Sequence, residues 1–321
     1  MSLPRIAITI GDAAGVGPEI ALKAAIDPAV LAVCDPVLVG DRAMLERIGA
    51  KLGLPVPEVI EQVDVPGFDA AAVEPGTVQA ACGLASARWV EAAIEGCQAG
   101  RFAAFATAPI NKAALAAAGL PWPGHTELLA EKCSGKRGPY ASAGEAMLMY
   151  DRSIAVVLAT CHQSLATVPQ TLTTAGIVRV GRLLADALTK LRDKKPVLAM
   201  CALNPHAGEH GLFGDEDERI VEPAVAELRA LGIEVHGPLP SDTAFTAVNR
   251  RRFDGYIAMY HDQGLIPFKA LAFDEGVNVT LGLSVVRTSV DHGTAYDRAW
   301  QGTADHGSLV AAITLAVKLA R

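Results

Sequence analysis

Arg5-Ile6-Ala7-Ile8-Thr9-Ile10 runs directly into Gly11-Asp12-Ala13-Ala14-Gly15-Val16-Gly17-Pro18-Glu19. The first six residues are rich in β-branched types and read as a strand. The glycines permit a tight turn and close approach of a ligand to the backbone. Pro18-Glu19 then opens a helix through Ala25, with proline near the first turn. This strand, turn and helix begin an alternation that continues along the chain. Pro36–Val39, Phe102–Thr107, Val197–Leu203 and Gly255–Tyr260 read as strands. Thr77–Ala99, Ala113–Ala118, Thr171–Lys190 and Asp215–Leu231 read as helices. Ala146–Tyr150 and Ile154–Thr160 read as a hairpin around Asp151-Arg152, Ser142–Glu145 as a turn, and Leu309–Val317 as a terminal helix docked on the core. The alternation predicts an α/β fold with a substantially parallel sheet. The glycine turn is not a dinucleotide fingerprint, because its spacing differs and Pro18 removes an N–H donor. A ligand loop and a plain structural turn are both open for it.

The chain has 321 residues, 51% of them apolar, so one large or two medium domains are expected. Pro121-Trp122-Pro123-Gly124 is the candidate crossover between lobes. A net charge of −7, from 28 basic and 35 acidic residues, argues against a general nucleic-acid binder. Aromatics at 5% argue against a base-stacking platform. Six scattered cysteines without a CxxC pair predict reduced, mostly buried thiols. The N-terminus lacks signal-peptide architecture, and no run reaches the roughly 18 apolar residues of a membrane helix. A cytoplasmic protein without membrane or nucleic-acid partners is the expectation.

Polar chemistry concentrates late in the chain, in Tyr260-His261-Asp262-Gln263-Gly264, Gly276 to Leu283, and Arg287 to Ala295. This stretch reads otherwise as strands and turns. His162, His206 and His261 each follow or end a strand run, at intervals of 44 and 55 residues (206 − 162 and 261 − 206). Three such histidines could hold a divalent ion with open positions; as separate residues they would be ordinary polar groups. Lys269, Asn278 and Arg287 recur every nine residues. Together they supply a point charge, a neutral donor and a bidentate fork, a set suited to a phosphate monoester. Gly124-His125-Thr126-Glu127 precedes a helical run, where His125 and Thr126 could donate to an anion or Thr126 could cap the helix.

The ordered set of motifs resembles the 4-hydroxythreonine-4-phosphate dehydrogenase (PdxA) family. It comprises Ile8–Asp12 with Gly15–Glu19, Thr107–Lys112, Gly124–Glu127, Leu203–Glu209, Gly237–Thr243 and Tyr260–Ala295. The resemblance implies a two-lobed fold like that of the isocitrate and isopropylmalate dehydrogenases, divided as 1–120 plus 286–321 on the cofactor side and 121–285 for metal, substrate and dimerisation. It implies His162, His206 and His261 as ligands of Zn, Mg, Mn or Co, and His125, Thr126, Lys269, Asn278 and Arg287 as substrate-binding residues. It also implies Asp242 as the catalytic acidic residue near the site. Asp291-His292-Gly293-Thr294-Ala295 resembles the loop that holds NAD or NADP. A homodimer with shared sites is expected.

The implied activity is NAD(P)- and metal-dependent oxidation and decarboxylation of a small phosphorylated 3-hydroxy acid. The first choice is 4-phosphohydroxy-L-threonine in pyridoxal phosphate biosynthesis. The alternative is 4-phospho-D-threonate or 4-phospho-D-erythronate. A dihydrodiol-carboxylate dehydrogenase and a non-catalytic metabolite-binding protein rank below. Three departures bear on substrate: Asp12-Ala13 replaces Glu-Pro, Cys161 replaces Thr, and Gly211–Glu216 with Ala299-Trp300 resembles the catabolic relatives.

Overall fold

The strands formed by the described residues are β1 (Arg5–Thr9), β2 (Asp35–Gly40), β3 (Ile60–Gln62), β4 (Ala104–Thr107), β5 (Ala146–Tyr150), β6 (Ala155–Leu158), β7 (Val197–Cys201), β8 (Glu234–Leu239), β9 (Gly255–Ala258), β10 (Val277–Leu281) and β11 (Arg287–Ser289). This computed structural model describes residues 3–133, 144–272 and 276–321. The chain divides into two units, Met1–Gly144 with Leu283–Arg321, and Glu145–Gly282. The turn expected at Ser142–Glu145 lies partly outside the described residues. The division assigns the helix His125–Cys133 to the first unit. There Lys132 Nζ on that helix meets Glu91 Oε1 of the helix Ala80–Gln98 at 2.8 Å.

In the first unit the strand order is β3-β2-β1-β4-β11, all parallel. After Arg5, β1 is buried throughout. That two-sided burial explains an apolar run in place of a strict alternation. Trp89 on the helix Ala80–Gln98 is fully buried and meets Phe68 edge-on at 5.4 Å. Gly83 on the same helix permits close packing, because a Cβ there would fall on the backbone of Ala114 in the helix Lys112–Ala117.

In the second unit the order is β10-β5-β6-β9-β7-β8. The expected hairpin is present, with β5 antiparallel to both β6 and β10. The neighbours β6, β9, β7 and β8 are mutually parallel. The helix Thr174–Arg192 is capped by the Thr173 side chain, which accepts from the Gly176 N–H at 3.1 Å. Its buried row Ile177, Val180, Gly181, Leu184 and Leu188 follows the helical spacing.

One sequence expectation is corrected here. The residues after Tyr260 form a helix, His261–Leu271, and not strands and turns alone. Gly264, Leu265, Phe268 and Ala272 are buried at helical spacing. The internal Pro267 and Gly264 hide that period in the sequence.

Gly83→Ala should force the two helices of the first unit apart. We expect a loss of about 1–3 kcal/mol, read as a lower urea midpoint with an unchanged slope.

Candidate active site

Three parallel strands of the second unit build the first part of the site. Because β6, β9 and β7 are neighbours with one direction, their carboxyl ends share one edge. Loops beyond such ends are where ligands bind in α/β sheets. His162 follows β6, His261 follows β9 and His206 follows β7. The His162 and His261 rings stand 5.5 Å apart, centre to centre. They line one cavity of about 430 Å³ with Cys161, Gln163, Tyr260 and Asp262. His206 lines a second cavity of about 260 Å³ with Asn204, Ser241 and Asp242. Tyr260 lines both. The structure thus pairs His162 with His261 and sets His206 beside Asp242. Among the described residues, no three ligand-type side chains of this single chain gather closely enough to hold an ion.

The pair fits a divalent ion chemically. Neutral imidazoles are ligands for such metals, and the Nδ1 of His261 lies 2.7 Å from Asp262 Oδ1. A carboxylate at Nδ1 fixes the ring and leaves Nε2 for a ligand. Cys161 reads in the sequence as strand-like and turned away from His162. It instead lies in the loop beyond β6 and lines the same cavity.

The loop that carries His206 is unusual backbone. His206, Ala207, Glu209 and His210 all have φ between 44° and 55°. Buried Asp217 holds the entry to this loop, accepting from the N–H groups of Leu203 at 2.7 Å and Asn204 at 2.9 Å. Left-handed residues of this kind persist where surrounding bonds over-determine them, and they cluster at functional sites.

The expected substrate residues divide between the units. Lys269 is on the helix His261–Leu271, where burial lowers its ammonium pKa. Asn278 is on β10 and donates to Met147 Sδ at 3.3 Å. Neither lines the two cavities above. The first unit holds His125, Thr126 and Arg287. The helix begins at His125, so Thr126 sits in its first turn and not at its cap. Arg287 on β11 is 3% exposed and donates from Nη2 to Thr107 Oγ1 at 2.7 Å. Burial pulls its guanidinium down to about 9, which leaves it charged at neutral pH. Burial first, and then the nearby Arg287 charge, holds His125 well below its ordinary value. The Nε2 atom of His125 is covered and has no hydrogen-bond partner among the described residues.

The expected cofactor loop Asp291–Ala295 lies in the same unit as the glycine turn and is tied to it. Thr294 O accepts from the Val16 N–H at 3.0 Å. A Cβ on Gly15 would sit 2.8 Å from that carbonyl, so glycine permits the approach. Tyr296 donates its hydroxyl to Asp12 Oδ2 at 2.9 Å, and Trp300 Nε1 donates to Ala13 O at 3.0 Å. Burial raises the Asp12 carboxyl above its ordinary value, against the lowering effect of its bonds to the Ala14 N–H and Tyr296. Glu19, fully buried, pairs with Lys23 at 2.8 Å and accepts from the Gly302 and Ala304 N–H groups. Sequence reading missed these clamps. Asp12, Glu19 and Tyr296 are single polar residues whose partners are nearly three hundred positions away.

The sequence matches the family described as pyridoxal phosphate biosynthetic protein PdxA over residues 32–316, and the chain belongs to that family. It is therefore a dehydrogenase, an oxidoreductase. It is 41% identical to a 4-hydroxythreonine-4-phosphate dehydrogenase of Desulforapulum autotrophicum, over 98% of this chain and 94% of the relative. It is also 41% identical to a D-threonate 4-phosphate dehydrogenase of Salmonella typhimurium, over 100% of both. The crystal structure of a 4-hydroxythreonine-4-phosphate dehydrogenase from Klebsiella pneumoniae superposes with a TM-score of 0.86 at 41% identity, covering 99% of this chain and 98% of that one. Among the described residues, no helix is long and apolar enough to cross a membrane.

The His125 environment has a measurable consequence. The folded ring stays neutral where the unfolded ring, with a pKa of about 6.5, takes up a proton. Its contribution to stability is complete above about pH 6.5 and is lost as the pH falls toward the lower folded value. Unfolding midpoints in urea at pH 7.5 and 5.5 should therefore fall further for the wild type than for His125→Gln.

Proposed function

We propose that the chain is an NAD(P)- and divalent-metal-dependent dehydrogenase that oxidises and decarboxylates a small phosphorylated 3-hydroxy acid, with 4-phosphohydroxy-L-threonine in pyridoxal phosphate biosynthesis as the first candidate. The observation that carries this reading is the His125–Arg287 pair of the first unit, with Arg287 buried and His125 Nε2 covered. A charged guanidinium at 3% exposure bears a desolvation cost that a bound anion relieves. The covered His125 Nε2 lacks a partner among the described residues, and an anionic oxygen could accept from it in the Nε2–H tautomer. A phosphate monoester offers anionic acceptors to both groups.

Within this reading, Arg287 and His125 bind the substrate phosphate, with Thr126, Lys269 and Asn278 as further substrate-binding residues. Binding energy at the remote phosphate orients the reacting carbon. His162, His206 and His261 would hold the metal, which when bound lowers the pKa of a substrate hydroxyl and stabilises developing negative charge. The loop Asp291–Ala295 would hold the nicotinamide cofactor, which takes the hydride. Asp242, exposed beside His206, is the carboxylate available to hold or move a proton. The resulting β-keto acid loses CO2 readily. A homodimer with shared sites belongs to the same proposal. The separation of His206 from the His162–His261 cavity supports it, as do Leu165, 64% exposed, and Leu212, 72% exposed, in the loops that follow these histidines.

D-threonate 4-phosphate is the second reading, supported by equal identity to a dehydrogenase named for it. A panel of 4-phosphohydroxy-L-threonine, 4-phospho-D-threonate and 4-phospho-D-erythronate, read by NADH or NADPH appearance, separates the two. Absence of turnover with all three would sink the phosphorylated-substrate reading.

Arg287→Ala should cost about 2–5 kcal/mol of transition-state stabilisation with the preferred substrate while cofactor Kd holds. Arg287→Lys should recover only part, since the bidentate fork is lost. Loss confined to cofactor affinity would move the guanidinium out of the substrate site.

A further inference from the structure

Gln263 is 7% exposed on the helix His261–Leu271, and its carboxamide makes three internal hydrogen bonds. Its Oε1 accepts from the Met259 N–H at 2.6 Å, just beyond β9. Its Nε2 donates to Ala202 O at 2.6 Å, just beyond β7, and to Ser241 Oγ at 2.9 Å. Ser241 Oγ in turn donates to Ala202 O at 3.0 Å. Met259 O accepts from Thr160 Oγ1 at 2.7 Å and from the Thr160 N–H at 3.2 Å, beyond β6. One carboxamide therefore joins the backbones that lead into His261, His206, Asp242 and, through Met259, His162. These positions come from separate loops with no covalent reason to stay in register.

We propose that Gln263 is the positioning residue of the site: it sets the relative placement of the three histidine loops, and so the affinity for a divalent cation, without touching the ion. The proposal rests on the metal reading above. A primary amide suits the task because it offers one acceptor and two donors in a plane, and the loops present one N–H, one carbonyl and one hydroxyl. A carboxylate of the same shape would put an oxygen against the Ala202 carbonyl. Methionine would fill the space and make none of the bonds.

The test is Co2+ binding to the full-length protein, by titration calorimetry and by the ligand-field spectrum of the bound ion, with thermal unfolding alongside. Gln263→Met and Gln263→Glu should each bind Co2+ about 10–100-fold more weakly than wild type, with an altered spectrum. Ile177→Ala, a core change in the same unit, should lower Tm and leave Co2+ affinity in place. Folded Gln263→Met with wild-type affinity and spectrum would overturn the proposal. Where the Gln263 variants fail to fold, Ser241→Ala decides: it should weaken Co2+ by about 3–10-fold, and an unchanged affinity counts against the network. A wild-type protein that binds no Co2+, Zn2+ or Mn2+ would defeat the metal reading itself, which is a different result from equal binding by wild type and variant.

Discussion

The parallel register of β6, β9 and β7 is the constraint on which the second unit's site depends. Parallel neighbours put their carboxyl ends on one edge, and each connection must leave from that edge. Loops more than forty residues apart in sequence are thereby brought together. The histidines need no local motif, because strand direction does the gathering. What strand direction does not supply is fine placement. In this unit that comes from buried polar side chains: Gln263 across three loops, and Asp217 at the entry to the His206 loop. Such groups stabilise one arrangement strongly because each alternative leaves a buried donor or acceptor unsatisfied.

The first unit solves a different problem with the same chemistry. Its glycine turn and the helix after it are joined to its C-terminal loop by the Tyr296–Asp12 and Trp300–Ala13 contacts and by Glu19 accepting from the Gly302 and Ala304 N–H groups. Here the buried charges are either paired or held by backbone N–H groups, as burial requires. The Arg287–His125 neighbourhood brings two basic side chains together. Burial disfavours the charged guanidinium, and the covered imidazole atom has no partner among the described residues.

Much of the fold was legible in the chain. β1 and the helix after the glycine turn, the Ala146–Leu158 hairpin, and the helices over Ala80–Gln98 and Thr174–Arg192 follow from apolar pattern, capping and turn chemistry. These are local signals, carried within a few residues. The helix His261–Leu271 was not legible, because glycine and proline interrupt its period and only burial against the core compensates for them. Of the two readings open for Thr126, the cap does not hold, because the helix starts at His125, and a two-residue shift of a helix start leaves no trace in composition.

For the site, the sequence by itself determined which side chains are present and, through the ordered motifs, the family to which they belong. It also determined that the chain is α/β, since periodicity and turn residues are local. Only the tertiary structure decided that His162 faces His261 while His206 sits with Asp242 in a neighbouring cavity. The same holds for Cys161 turning into the His162 cavity, and for Gln263 being bonded to three loops at once. Those facts depend on strand order and on distances between residues far apart in the chain, which a linear pattern does not encode.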